Sequence, residues 1–277
     1  MPLRSWHRTV GITATLALCA CGGPDESDRY LLDFVYSSNT IRMTSDNTFE
    51  LAPDSFVSSD DLFFTVETLT YRLADLRMDL SPAVRCEDYE EVLSPEMSCS
   101  NSVRRPGSDP LLDPTEDLPG VLHLPGPVEV GTGKRLSAGG KQVFIPRVSY
   151  PAIDTRWVPG TPEHPSFQLR ARFTYQGNPH VLEFAFQSDE SMRFEYRGVP
   201  LGLPEEFSEH PAAFGGNLEM DHWLEDIDIS GCLATGDLTL DGNVLRLETG
   251  RGACAEAATK MRSSIQWSGD LFTGLRP

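Results

Sequence analysis

Between residues 166 and 197 apolar and polar side chains alternate almost without interruption. Phe167, Leu169, Ala171, Phe173 and Tyr175 are separated by Gln168, Arg170, Arg172 and Thr174. Beyond the turn Gln176-Gly177-Asn178-Pro179, Leu182, Phe184 and Phe186 alternate with Glu183 and Gln187. Beyond Ser188-Asp189-Glu190-Ser191, Met192, Phe194 and Tyr196 alternate with Arg193, Glu195 and Arg197. A period of two sends successive side chains to opposite faces of a pleated strand. The pattern predicts three antiparallel strands with one apolar face, which a second layer must cover.

Other segments carry the same signal. Leu32, Phe34 and Tyr36 alternate within RYLLDFVYSS. In DLFFTVETLTYRLADLRMDL (61–80), Phe64 and Val66 share one parity, Leu69, Tyr71 and Leu73 the other, and Leu76, Met78 and Leu80 return to the first. Such switching predicts a bulged strand or two strands in quick succession. LTLDGNVLRLE reads as a hairpin turning at Asp241-Gly242. Two short helices are expected. NLEMDHWLEDIDIS spaces Met220, Trp223, Leu224 and Ile227 at i, i+3, i+4 and i+7, with Asn217 as N-cap. CAEAATKMRSSIQW sets Cys254, Ala258, Met261 and Ile265 on one stripe. The fold class predicted is all-β, an antiparallel β-sandwich of immunoglobulin or transthyretin type, with two short helices near the C-terminal half. Residues 30–277 are read as a single such domain, interrupted at about 81–142 by a long insertion rich in Pro and Gly.

The N-terminus has the parts of an export signal. Arg4, His7 and Arg8 precede a short apolar run, Val10 to Ala20, too short to span a bilayer. Leu18-Cys19-Ala20-Cys21 resembles the bacterial lipobox, with Leu at −3, a small residue at −1 and Cys at +1. The other register would place Leu18 at −1. The resemblance implies a lipoprotein signal peptide over 1–20 and acylation of Cys21, with palmitate among the chains, each buried methylene adding about 0.8 kcal/mol of membrane affinity. Residues 21–29 then form a polar tether. Gly22 rather than Asp at +2 implies the outer membrane, where the cell has one.

Setting aside Cys19 and Cys21 leaves Cys86, Cys99, Cys232 and Cys254. Four cysteines permit three pairings; the economical one is Cys86–Cys99 with Cys232–Cys254, in an oxidising compartment. Zinc is the rival reading, although no C-x-x-C or Cys/His spacing backs it.

The chain carries 41 acidic and 23 basic residues; removing residues 1–20 takes Arg4 and Arg8 and leaves 21 against 41, a charge of −20. Nucleic-acid phosphates need cationic partners, so that class is disfavoured. The chain contains no G-x-S-x-G, S-x-x-K, H-E-x-x-H, P-loop or G-x-G-x-x-G, and it is read as a non-enzyme. A metal reading rests on His222 with Glu225 and Asp226, an imidazole and carboxylates suited to copper or zinc, with a third ligand from His164, His180 or His210. The competing account makes these acidic groups a solvated helix face. Of the remaining histidines, His123 carries no assigned role. Asp109, Asp113, Glu116 and Asp117 offer oxygen ligands for calcium, but their spacing departs from an EF-hand and fits a solvated loop. Trp157 reads as a partly buried residue entering a strand.

An acylated Cys21, the 61–80 run, four mature cysteines and the 166–197 pattern resemble uncharacterised bacterial lipoproteins and, more distantly, MbnP-like periplasmic lipoproteins associated with copper. That resemblance implies a cysteine-stapled β-sandwich and a copper site of histidines beside an oxidisable tryptophan; His222-Trp223 is the dipeptide here that matches it. The function expected is a membrane-anchored, extracytoplasmic binding or envelope-structural lipoprotein whose partner is an envelope protein or a small ligand. The alternatives are a periplasmic copper- or zinc-binding protein and a hydrolase. The metal reading needs a third donor near His222, the hydrolase a nucleophile beside a base, and the binding reading an exposed apolar or aromatic patch.

Overall fold

The computed structural model describes residues 29–43, 46, 48–80, 84–101, 120–132, 142–196 and 212–275. Cys21 and its surroundings, His210 and the calcium-type loop from Asp109 to Asp117 lie outside these residues. In chain order the strands begin with β1 (Arg29–Ser37), the small hairpin β2 (Ile41–Met43) and β3 (Phe49–Leu51), β4 (Ser55–Val57) and the 17-residue β5 (Phe63–Asp79). Then come β6 (Ser98–Ser100), β7 (Val121–Leu124), β8 (Val128–Gly131), β9 (Phe144–Pro146) and β10 (Ala152–Trp157). The predicted alternating run forms β11 (Phe167–Tyr175), β12 (Asn178–Phe186) and β13 (Ser191–Glu195). The C-terminal part holds β14 (Ala212–Glu219), α1 (Ile229–Thr235), β15 (Leu240–Asp241), β16 (Val244–Arg246), α2 (Ala257–Trp267) and β17 (Gly269–Leu275). Among the described residues, all the strands except β2 and β3 connect into one large mixed sheet, and the chain is all-β apart from two short helices.

Strand β5 is where the sheet is joined. One edge pairs with β11 over Phe64–Tyr71 and then with β10 over Leu73–Met78. The opposite edge takes β4, β8 and β7 in turn. The parity switches read from the sequence are two bulges in this single strand. Arg170 faces Thr68 and Ala171 faces Val66, so Glu67 is the extra residue of the first. Asp154 faces Arg77 and Arg156 faces Ala74, so Thr155 alone opposes Asp75 and Leu76. Asp75 absorbs the second bulge with φ 53°. Each bulge flips the face that is buried, so Phe64, Leu69, Tyr71, Leu73, Leu76 and Met78 all reach the same core although their parity changes twice.

Strands β11 and β12 form the predicted hairpin in full register from Phe167↔Phe186 to Tyr175↔Asn178. Gln176 and Gly177 both have positive φ, as a two-residue turn that matches strand twist requires. The third strand departs from expectation. β13 pairs antiparallel with β10 and, at Glu195↔Asp270, parallel with β17, while the free edge of β12 is taken by β16. Alternation fixes which face of a strand is buried, not which strand lies beside it. Parallel pairs β1–β14, β12–β16 and β13–β17 also make the sheet mixed, not purely antiparallel. The stretch read as an insertion returns β6, β7 and β8 to the sheet beside β5.

The helix expected over Asn217–Ser230 is not formed. Asn217 to Glu219 complete β14, and the residues after them make consecutive tight turns, with Trp223 N–H donating to Met220 O (3.1 Å) and Ile227 N–H to Leu224 O (3.0 Å). Successive three-residue turns give the i, i+3, i+4, i+7 spacing as a helix would, and Met220, Trp223, Leu224 and Ile227 are all buried. The rest of the backbone's hydrogen bonds go elsewhere: Met220 N–H to Ser37 O, and Ser59 N–H to Leu224 O. A first short helix follows at α1, where Asp228 accepts from Gly231 N–H (2.7 Å) and Asp60 from the N–H groups of Ile229 and Ser230. The second expected helix is α2, with Met261 and Ile265 fully buried on the predicted stripe.

Trp157 sits in the core, fully buried at the end of β10 with Tyr71, Phe167 and Phe186 around its ring. Both disulfides have the economical connectivity, Cys86–Cys99 and Cys232–Cys254. Replacing Cys232 and Cys254 together by serine opens a link across 22 residues. The double variant is expected to lose about 3 kcal/mol of unfolding free energy, read from urea midpoints against the parent. A loss well under 1 kcal/mol would show that α1 and the turn before α2 are held by packing alone.

Candidate functional site

The polar face of the strands around β10 carries a groove of about 900 Å³. Its floor is the outward-facing set of three neighbouring strands: Asp75, Arg77 and Asp79 from β5, Asp154 and Arg156 from β10, and Ser191, Arg193 and Glu195 from β13. Their apolar neighbours, Leu76, Met78, Ile153, Met192 and Phe194, point into the core. Period two therefore lays charges in rows across the sheet.

Those charges are arranged in opposite-sign neighbours. Arg156 Nε lies 2.5 Å from Asp75 Oδ2, and His123 Nε2, from β7, lies 3.4 Å from Asp75 Oδ1. Arg193 bridges Asp154 (2.6 Å) and Glu195 (2.9 Å). Burial pushes the Asp75 carboxyl up, but the ionic hydrogen bonds from Arg156 and His123 outweigh it and hold the group below its ordinary value. These groups are a third exposed or more, Glu195 over half, so the pairs organise the surface more than they stabilise the fold.

One wall of the groove is the C-terminal end of α2. Arg262 donates to Glu190 Oε2 (2.9 Å), Gln266 donates to the same oxygen, and Ser188 Oγ lies 3.1 Å from it. The Gln266 amide, with Arg262 and Ser188, holds the Glu190 carboxyl below its usual range. The Arg262 guanidinium also covers the Phe186 ring, at 5.5 Å. Beyond the helix, Gly269 opens β17 against Arg193: a Cβ at 269 would meet Arg193 O at 2.4 Å, so only glycine permits this approach. Trp267, off the buried stripe of α2, stands at the rim of the groove with 76% of its surface exposed.

The residues singled out from sequence lie elsewhere. His222 Nδ1 contacts Glu225 Oε2 on the surface, and both side chains are more than half exposed. Asp226 contributes its backbone carbonyl to Lys260 Nζ (3.2 Å). His164 belongs to a turn with Thr161, and His180 packs against Phe173 and Tyr175. Among the described residues no group of three or more His, Cys, Asp or Glu side chains is placed to hold a metal ion. Trp223 is fully buried against Phe56 and Phe167, so His222 and Trp223 face opposite ways. Asp221, in the same acidic segment, takes the Ser38 hydroxyl, the Asn39 N–H (2.9 Å) and the Thr40 hydroxyl (3.3 Å), fastening the turn after β1. A second exposed apolar patch lies on the β2–β3 hairpin, where Ile41, Phe49 and Leu51 share a face.

No known protein family, no curated protein and no solved structure matches this chain.

Burial pushes the Asp221 carboxyl up, and the hydrogen bonds from Ser38, Asn39 and Thr40 bring it below its normal value. A lowered carboxyl adds stability above the unfolded pKa, near 4, and loses that contribution as pH falls through the folded value. Asp221→Asn is accordingly expected to cost about 1 kcal/mol at pH 7, with the difference from the parent closing below about pH 4. Urea midpoints measured from pH 3 to pH 8 test this; a pH-independent difference would contradict it.

Proposed function

We propose that this chain is an extracytoplasmic lipoprotein, acylated at Cys21, that binds a ligand in the groove beneath Trp267 and does not turn it over. The observation that carries the binding role is the rim itself: a largely exposed tryptophan beside the Glu190 carboxylate, which Arg262, Gln266 and Ser188 hold, over a floor of paired charges. Large exposed aromatics on polar grooves mark recognition sites because unpartnered apolar surface in water is costly to keep. The lipobox resemblance and the two disulfides support the location. In this reading residues 21–29 tether the domain to the outer membrane. β5 serves both layers of an immunoglobulin- or transthyretin-like sandwich, its two halves pairing with different strands.

Anchoring is tested by growing cells with labelled palmitate. The parent should incorporate label and sediment with membranes, whereas Cys21→Ala should carry no label and stay in the soluble fraction. Label on the variant would overturn acylation at Cys21. Binding at the groove is tested by acrylamide quenching, since Trp157 and Trp223 are buried and Trp267 is not. Fractions of a cell-envelope extract are expected to shield Trp267; if no fraction does, the groove is not the binding site.

A further inference from the structure

The charge pattern of the groove narrows its occupant. Five carboxylates and three guanidinium groups line it, a net negative surface on a strongly acidic protein, which opposes an anion. A cation fares little better, because the carboxylates are already engaged. Asp75 is held by Arg156, Asp154 and Glu195 by Arg193, and Glu190 by Arg262 and Gln266; Asp79 has a partner as well. A cation would compete with the arginines for these carboxylates, and among the described residues of the groove an anion finds only Arg77 outside the pairs, on a surface of net negative charge.

A neutral polyhydroxyl ligand meets no such conflict. A guanidinium has five N–H donors in a fixed fork, and Arg156 commits its Nε to Asp75 while Arg193 commits Nε and Nη1. Each paired carboxylate also retains lone pairs. Hydroxyl groups, donors and acceptors at once, can insert between these groups and be held by charge-assisted hydrogen bonds with the ion pairs intact. Trp267 supplies what the polar floor lacks, an open indole face on which the C–H face of a pyranose ring can stack. The Gln266 amide stands next to it in the chain, fixed on Glu190.

Resting on the binding reading above, we propose that the groove recognises a neutral oligosaccharide, with one pyranose stacked on Trp267 and its neighbours hydrogen-bonded along Asp154, Arg156 and Arg193.

The test uses the full chain as cells make it, in a polyoxyethylene detergent so that no glycoside competes. Cellohexaose, maltohexaose, mannohexaose and N-acetylchitohexaose are titrated by calorimetry and by acrylamide quenching, with hexagalacturonate and hexa-arginine as charged probes. At least one neutral hexaose should bind saturably and shield Trp267. Trp267→Ala should weaken that binding about tenfold or more, with Trp267→Phe recovering most of it. Because Trp267 is exposed, circular dichroism of both variants should match the parent. Shielding by a charged probe, with none by the neutral sugars, overturns the glycan assignment and leaves the groove as a binding site. If envelope fractions shield Trp267 and no probe does, the assignment likewise falls alone. If neither probes nor envelope fractions shield it, both the assignment and the binding reading fall. Binding unchanged in Trp267→Ala places the sugar elsewhere and also overturns the proposal.

Discussion

Pairing along both edges of β5 is the constraint from which the rest of the architecture follows. A strand of 17 residues is far longer than one flat face of a small domain can use. The bulges at Glu67 and Asp75 resolve this by turning the strand while returning its apolar side chains to the interior each time. β11 and β12 are thereby placed beside one half, and β10 and β13 beside the other. The second bulge also turns the Asp75 carboxylate outward, beside Arg156, so the same local irregularity that bends the sheet sets the first ion pair of the groove floor.

Which faces are buried was legible from the residues alone. Each parity group read in 61–80 reaches the core, and β11 and β12 form the expected hairpin. Neighbour relations were not. β13 has the same alternation whether it lies beside β12 or β10, because partner choice depends on distant strands, here β16 filling the edge of β12. The segment after Asn217 shows a different ambiguity: turns of three residues imitate helical spacing, and its hydrogen bonds to Ser37 and Ser59 are long-range facts that no local window contains.

The site was legible only in fragments. His222 and Glu225 do meet, as their spacing suggested, but as an exposed pair away from the groove. Arg193 and Glu195 were visible as outward positions in the alternating run, whereas Trp267, which lies off the apolar stripe of its helix, was not singled out. What joins them is the meeting of β10, β13, α2 and β17, which depends on sheet order. The pairing of opposite charges across β5, β10 and β13 also explains how a chain with a large acidic excess keeps most of the carboxylates of this patch partnered. Its arginines are spaced by strand period against carboxylates from the next strand.

Gly269 gives this arrangement a genealogical reading. The backbone of Arg193 fills the space that any side chain at that position would need, so a descendant sequence can vary the floor charges or exchange one aromatic for another, yet cannot add a side chain there without moving a strand. Tolerance to change is therefore uneven along this short segment: position 267, open to solvent, has room for other side chains, while position 269 has room for none.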